Sequence, residues 1–396
     1  MARVLCAWEL GSGLGHLGRL IPVARELRGM GHEVVMVLRD TSVMDVTRSE
    51  GFQTLAAPLL QSRAEKNPSP LNLPDVLLNL GYDDSRALHG ALRGWQSMLD
   101  LVAPDVVMAD YAPMALVAAG IARVPRITVG SGFALPPPGD PVPALRSWAA
   151  ADPKVLQALD DRLAARLRSA AGPALQGVAF SARSFFEAET HLLCTFPEID
   201  PFGPREGVEY LGPPGNVNRG LDVSWNGADG ARVLAYLKPG APRVDAVLAA
   251  LASLDAEVIV AYPGIEAEAA ASLSRGSLRV FHKPVEVGPL IAGASLAVFH
   301  AGPGFAGQAL VAGVPMALLP THLEQFLVAQ RVQQAGLGEI ASPEQPAPEF
   351  REWFARLMSP GPVHEAAKRE SRKHAGHSFA AAAREAALRI AALAPA

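Results

Sequence analysis

The sequence predicts an α/β protein made of two doubly wound, parallel-sheet domains. Three observations predict it. The chain has 396 residues, enough for two domains with separate cores and large for one. Short apolar runs alternate with helix-period runs along most of its length, the pattern of strand-helix-strand units. Between the halves lies Leu211 to Gly220, LGPPGNVNRG, with turn formers at seven of ten positions.

Taken in order, Ala2 to Glu9 reads as a buried strand, Leu17 to Arg28 as a helix, and Glu33 to Leu38 as a second strand after the Gly31-His32 stop. Leu20, Val23, Ala24 and Leu27 recur at i, i+3, i+4 and i+7, which lays one apolar stripe on a sheet. Asp105 to Ala109, Met114 to Ala122 and Ile127 to Val129 repeat the alternation. Ala134 to Pro143, ALPPPGDPVP, is too proline-rich for helix or central strand and is expected to be an exposed loop or lid. A helical region follows from about Pro153 to Ala171. Beyond the boundary, Val233 to Leu237, Glu257 to Ala261, Leu278 to Phe281, Leu296 to His300 and Met316 to Leu319 are successive strands of a second Rossmann-like sheet. His364 to Leu393 is alanine-rich and charged, one or two amphipathic helices. The expected division is 1–214, 215–372 and a C-terminal helix in 373–396 packing back on the first domain.

Composition narrows the function classes. Hydrophobic residues are 49% and charged ones 19%, as in a folded globular protein. A formal charge of −4 gives no electrostatic footprint for nucleic acid, and no lysine run suggests a polybasic membrane anchor. Cys6 and Cys194 are the sole cysteines, which excludes a disulfide framework and fits a reducing compartment. Glu9 interrupts the N-terminal apolar run, and no stretch reaches the ~18 apolar residues of a transmembrane segment. We therefore expect a cytoplasmic location. His374 and His377 sit three apart without a matching carboxylate or thiol, and a solvated helix face is expected there instead of a metal site.

The most informative stretch is Leu296 to Val332, LAVFHAGPGFAGQALVAGVPMALLPTHLEQFLVAQRV. A strand runs into His300, small residues follow, and a helix-compatible run starts at Ala306. Exposed N–H groups at such a helix end attract anions, and glycines let a phosphate approach the main chain. An ordinary βα turn would share the glycines; Gly313-Val314-Pro315 and the run Pro320 to Gln325 favour the phosphate reading.

A second glycine loop, Gly11-Ser12-Gly13-Leu14-Gly15-His16, follows the first strand. A dinucleotide-binding fingerprint would place a third glycine where His16 stands, so a dehydrogenase reading, with Asp40 on a ribose, ranks behind. His16 at a helix N-terminus, beyond the C-terminal edge of a parallel strand, is placed to act as a neutral general base. Asp110 comes out on the same rim and would orient it. A capping histidine and an N-cap aspartate are the structural alternatives.

Together these motifs resemble the GT-B nucleotide-sugar glycosyltransferases of the family 1, UDP-glycosyltransferase-like type. The resemblance implies two domains facing across a cleft, the N-terminal one binding the acceptor and the C-terminal one the nucleotide sugar, and a reaction that inverts the anomeric carbon. It assigns His16 as base and Asp110 as its support. His300, with the main chain of Gly302 and Gly304, would hold the diphosphate, and Glu324 and Gln325 the sugar hydroxyls. Four positions depart from the family pattern. Phe305 stands in place of a phosphate-binding serine or threonine, and Gln308 in place of a ribose-binding glutamate. Arg19 lies near the position of a proline, and Lys238-Pro239-Gly240 replaces a glycine-serine. A neutral acceptor at Gln308 is expected to weaken donor affinity about tenfold.

The reading that follows is an inverting hexosyltransferase-type enzyme. It would move a sugar from a UDP- or dTDP-linked donor to a hydroxyl of a small, fairly apolar acceptor, with neither metal nor cofactor. The alternatives are an inactive nucleotide-sugar-binding or scaffold protein of the same fold, and a nucleotide-sugar epimerase.

Overall fold

A computed structural model describes the chain apart from residues 61–66, 176, 216–219, 228–229, 343–345 and 395–396. Part of the turn-rich segment between the halves, 216–219, therefore lies outside the described residues. The chain forms two compact units. One comprises Met1–Pro197, Pro204–Asn216 and Ser378–Ala396, the other Glu198–Gly203 and Val217–His377.

The first unit carries a six-stranded sheet of β1 (Arg3–Trp8), β2 (Glu33–Leu38), β3 (Gln53–Ala56), β4 (Val106–Asp110), β5 (Arg126–Gly130) and β6 (Thr190–Leu193), in the order β3-β2-β1-β4-β5-β6. All its pairings are parallel. Helices cover both faces of such a sheet, so central strands such as VLCAW and VVMAD are apolar nearly throughout and buried. The order reverses between β1 and β4, and the crevice beyond the carboxyl ends of the strands at such a point is where doubly wound sheets bind ligands. Helix α1 (Gly15–Gly29) follows β1, and α2 (Ser85–Val102), α3 (Pro113–Ala122) and α4 (Pro153–Ala171) follow in turn. Asp84 caps α2 by accepting from the N–H of Arg86 and Ala87, and Leu88, Ala91, Leu92, Trp95, Leu99 and Val102 form its buried stripe. Helix Phe379–Leu393 packs on α1, burying Ala383, Ala386, Ala387 and Ile390.

The second unit repeats the plan with β7 (Arg232–Tyr236), β8 (Glu257–Ala261), β9 (Leu278–Phe281), β10 (Leu296–Phe299), β11 (Met316–Leu318) and β12 (Gly338–Ile340), ordered β12-β11-β10-β7-β8-β9. Its reversal falls between β10 and β7. Helices α5 (Pro303–Ala312) and α6 (Leu323–Gln334) follow β10 and β11. One face of this sheet is closed by Phe350, Trp353, Phe354 and Leu357, in one cluster with Val233, Val258 and Leu296.

Three sequence expectations change. The proline-rich segment from Ala134 to Pro143 is no free lid. Leu135 and Val142 are buried, Asp160 accepts the Val142 N–H at 2.8 Å, and Asn72 donates to both Asp160 and the Val142 carbonyl. Arg205 donates to the Leu135 carbonyl and Arg183 to those of Pro137 and Gly139. Prolines bring no N–H to satisfy, so side-chain donors on the carbonyls suffice to seat the loop. Next, α5 begins at Pro303, three residues before Ala306, because proline is tolerated at N1 and supplies a suitable φ. Finally, the His374 ring is no solvated face, since its Nε2 lies 3.1 Å from Glu198 Oε2.

Candidate active site

Each sheet places a histidine at its own reversal point. In the first, β1 and β4 are in register with Trp8 opposite Asp110, so the chain leaving β1 and the last residue of β4 share one rim. Asp110 is itself the final strand residue, and Tyr111 after it takes a left-handed φ of 48°, which turns the chain sharply into α3. His16, in the first turn of α1, is buried, and its ring stacks on Trp8 at 4.8 Å between centroids. Its Nδ1 lies 3.2 Å from Asp110 Oδ1. Gly11 shapes the other edge of the ring, because a Cβ there would stand 2.4 Å from His16 Nε2.

A third side chain joins this pair. Arg19, one turn beyond His16 and also buried, donates Nε to Asp110 Oδ2 at 3.1 Å and Nη2 to Oδ1 at 3.0 Å. The same Nη2 lies 3.3 Å from His16 Nδ1. Burial pushes the Asp110 carboxyl up, but Arg19 and then His16 outweigh it and hold the group below its ordinary range. Asp110 is therefore an ionised carboxylate shared between a guanidinium and an imidazole. The sequence gives a faint signal for this: positions 16 and 19 share a helix face, and an arginine there interrupts an apolar stripe.

In the second sheet His300 follows β10. Its Nδ1 donates to the Leu319 carbonyl at 2.7 Å, and its Nε2 accepts the main-chain N–H of Lys238 at 3.1 Å. The imidazole thus clips the ends of three neighbouring strands, β7, β10 and β11, and both ring nitrogens are engaged by main chain. Burial lowers the His300 pKa; the hydrogen bond to the Leu319 carbonyl opposes this, and Lys238 and His322 add to the lowering. Ala301 takes a left-handed φ of 58°, turning the chain into α5, whose N-cap Gly302 has no side chain to bond its first N–H groups. Those of Gly304 and Phe305 have no helical partner by geometry, and Pro303 has none to offer.

Phe305 packs on Phe299, with 4.5 Å between centroids, and against Tyr236 at 6.4 Å, so it is held by the aromatic ends of β7 and β10. Gln308 lies one turn further along α5 and is half-buried. The Lys238 ammonium, on the loop after β7, acts on both His300 and His322. Burial lowers the His322 pKa, Glu324 opposes this and Lys238 adds to it. Gln325 is buried, and its Oε1 accepts both the N–H and the hydroxyl of Thr321, at 2.9 Å each. His300, Lys238, His322 and Glu324 are therefore gathered at one rim of the second sheet, as His16, Arg19 and Asp110 are at that of the first. Asp40 stands apart from both groups, with Oδ1 capping the local turn at Ser42. Among the described residues, no three His, Cys, Asp or Glu side chains group as metal ligands, and no helix is long and apolar enough to cross a membrane.

Comparison with known proteins adds to this geometry. A structure of the spinosyn rhamnosyltransferase SpnG matches with a TM-score of 0.69 over 98% of this chain and 99% of its own, at 18% identity. The glycosyltransferase of kitacinnamycin gives 0.70 over 100% and 99%, at 19% identity. The fold is that of the GT-B glycosyltransferases. Glycosyltransferase VinC, in a structure complexed with dTDP, shares this GT-B fold with a TM-score of 0.65 over 98% of this chain and 99% of its own, at 19% identity. Residues 245–380, nearly all of them in the second unit, match the model of the C-terminal domain of erythromycin biosynthesis protein CIII-like proteins. The 3-alpha-mycarosylerythronolide B desosaminyl transferase of Saccharopolyspora erythraea is 29% identical over 128 residues, 32% of this chain. That match spans 30% of the relative's length.

Proposed function

We propose that this chain is an inverting glycosyltransferase that moves a sugar from a nucleoside diphosphate donor to a hydroxyl of a small, fairly apolar acceptor. The observation that carries the proposal is the meeting of His16 with the ionised Asp110 at 3.2 Å, at the ligand-binding rim of one half of a GT-B fold. A carboxylate facing Nδ1 favours the tautomer with its proton there, leaving the Nε2 lone pair to take a proton.

In the proposed step Nε2 removes the acceptor hydroxyl proton as the acceptor oxygen bonds the anomeric carbon. The bond from that carbon to the diphosphate oxygen breaks on the opposite side, and its electron pair leaves with the diphosphate. The first unit supplies this base.

The second unit is the proposed donor site. The N–H groups of Gly304 and Phe305 would meet the diphosphate, with the Lys238 ammonium making the charged contact that Phe305 cannot. His300, bonded through both nitrogens, would serve by fixing the Lys238 loop against α5. Glu324 is the proposed partner of sugar hydroxyls, beside Gln325, and Gln308 of the ribose. The VinC complex with dTDP and a SpnG complex with thymidine diphosphate support a dTDP-linked donor. The Lys238 ammonium and the N-terminus of α5 would offset part of the negative charge of the leaving diphosphate, and turnover is expected to persist in EDTA.

His16→Ala tests the proposal. Loss of a positioned base is expected to lower kcat by ~10² to 10⁴ while donor binding is retained; normal turnover would refute the mechanism. A second reading, a nucleotide-sugar-binding protein without transfer, rests on Phe305, which puts an aromatic cluster where a hydroxyl is expected. Saturable donor binding with no product from any acceptor would favour it.

A further inference from the structure

We propose that Arg19 is a positioning residue for His16: it fixes the Asp110 carboxylate in place and offsets enough of its charge for the imidazole to stay neutral and able to accept a proton. This rests on the reading of His16 as the base.

A buried carboxylate 3.2 Å from an imidazole has two effects of opposite value. It selects the tautomer that leaves Nε2 ready to accept, and it also favours the imidazolium, which can accept nothing. At an effective dielectric of about 20, unit charges at this separation shift a protonation equilibrium by about 10³- to 10⁴-fold. Arg19 brings a positive charge onto both carboxylate oxygens and to 3.3 Å from Nδ1, so the charge felt by the ring is largely cancelled. With Nε and Nη2 committed to the carboxylate, the orientation of Asp110 is fixed, and its Oδ1 is left facing the ring nitrogen. A bidentate guanidinium does both; a lysine ammonium would supply the charge without the fork.

Other charged or titratable groups near this cluster, among the described residues, include Glu9, Arg39, Cys194 and Tyr111, and Arg39 approaches the Glu9 carbonyl. Glu9, at the end of β1, is engaged by the Tyr82 hydroxyl and the N–H of Met114 and Ala115. Cys194, after β6, lies near Arg19 and Asp110, but burial pushes its thiol up to about 12 and it stays uncharged. Tyr111 follows Asp110 and borders the Gly11 side of the ring. On β2, Glu33 is paired with Arg3, and on helix Phe379–Leu393, Arg384 faces Glu26 in the last turns of α1. None of these supplies the counter-charge that Arg19 gives.

The test is an NMR titration of the His16 ring in the full chain, assigned by comparison with His16→Ala, for wild type, Arg19→Lys and Arg19→Met. Arg19→Met is expected to raise the His16 midpoint by one pH unit or more, tenfold in the protonation constant. Arg19→Lys should restore most of it. Because Arg19→Met leaves the buried Asp110 without its guanidinium and can fail to fold, the double variant Arg19→Met/Asp110→Asn removes both charges and should titrate close to wild type. Where turnover is measurable, the acid limb of kcat/KM should move upward with the midpoint in Arg19→Met, a change that general loosening of the site would not give. A midpoint that stays within 0.3 unit (about twofold) or falls on removal of Arg19, or a double variant that titrates far from wild type, would overturn the proposal. The ring titration is independent of turnover: the predicted shifts in a chain that transfers no sugar would uphold the role of Arg19 and reject the transferase reading.

Discussion

Gly11→Ala tests whether the edge of His16 that carries Nε2 is the working edge. A Cβ at residue 11 would stand 2.4 Å from Nε2 and 3.0 Å from Cε1. The contact to Nε2 must open by about 0.6 Å to reach 3.0 Å, the limit below which Cβ contacts are essentially never found. The ring cannot yield toward Trp8, on which it stacks, without breaking that contact, nor swing about Nδ1 without leaving Asp110. The φ of 85° at Gly11 adds backbone strain of about 1 to 2 kcal/mol for a residue with a Cβ. Folding should survive with a melting temperature a few degrees lower. Since a misplacement of about 1 Å can cost ~10²-fold, kcat should fall by ~10- to 100-fold, with donor affinity unchanged because the residues proposed to hold the donor belong to the other unit. The assay is nucleoside diphosphate release alongside calorimetric donor titration. Turnover within twofold of wild type in a folded variant would refute the placement of the base.

Lys238→Ala should weaken dTDP binding by ~10-fold or more, the value of about 1.5 to 3 kcal/mol for a hydrogen bond to a charged group, with kcat less affected than donor KM; unchanged affinity in calorimetry would remove Lys238 from the phosphate site. The Glu9 carboxyl is buried and its pKa is pushed up to about 7 from an ordinary 4.5, with Tyr82, Met114 and Ala115 partly opposing this. A folded value above the unfolded one means this group's contribution is intact below pH 4.5 and is lost as pH rises through 7. Relative to Glu9→Gln, the wild type should therefore lose up to about 3 kcal/mol across that window and no more above it, measured by urea unfolding at a series of pH values; a constant difference would contradict the burial argument.

Much of the fold was legible because its central strands are apolar runs buried on both faces, and because Leu20, Val23, Ala24 and Leu27 mark one helix face unambiguously. Three of the four edge strands were not: Gln53–Ala56, Thr190–Leu193 and Gly338–Ile340 are short and mix polar or small residues into the run, whereas the fourth edge, Leu278–Phe281, was readable from its apolar residues. Helix α2 has a clear stripe but no chemical motif to draw the eye. Of the candidate site, His16 was legible as a histidine opening a helix after a glycine loop, Asp110 as a strand-end carboxylate, and His300 as a strand-end histidine before a glycine-rich turn. The role of Arg19 was hidden because its partner lies on another strand and only the fold brings them within 3.1 Å. The His300 clip was hidden for the same reason, since sequence spacing does not reveal that Lys238 and Leu319 take both ring nitrogens. Proline content alone misjudged Ala134 to Pro143, where Arg183, Arg205 and Asp160 come from distant positions to seat the loop.

The central claim is that the second unit binds a nucleoside diphosphate and the first unit uses it through His16. The most direct measurement is a calorimetric titration of the full chain with dTDP and UDP, followed by turnover with the preferred nucleotide's sugars. We predict saturable binding of at least one diphosphate, retained in His16→Ala and weakened in Lys238→Ala, with transfer lost in His16→Ala. Absence of binding by either diphosphate, or transfer undiminished without His16, would contradict the account.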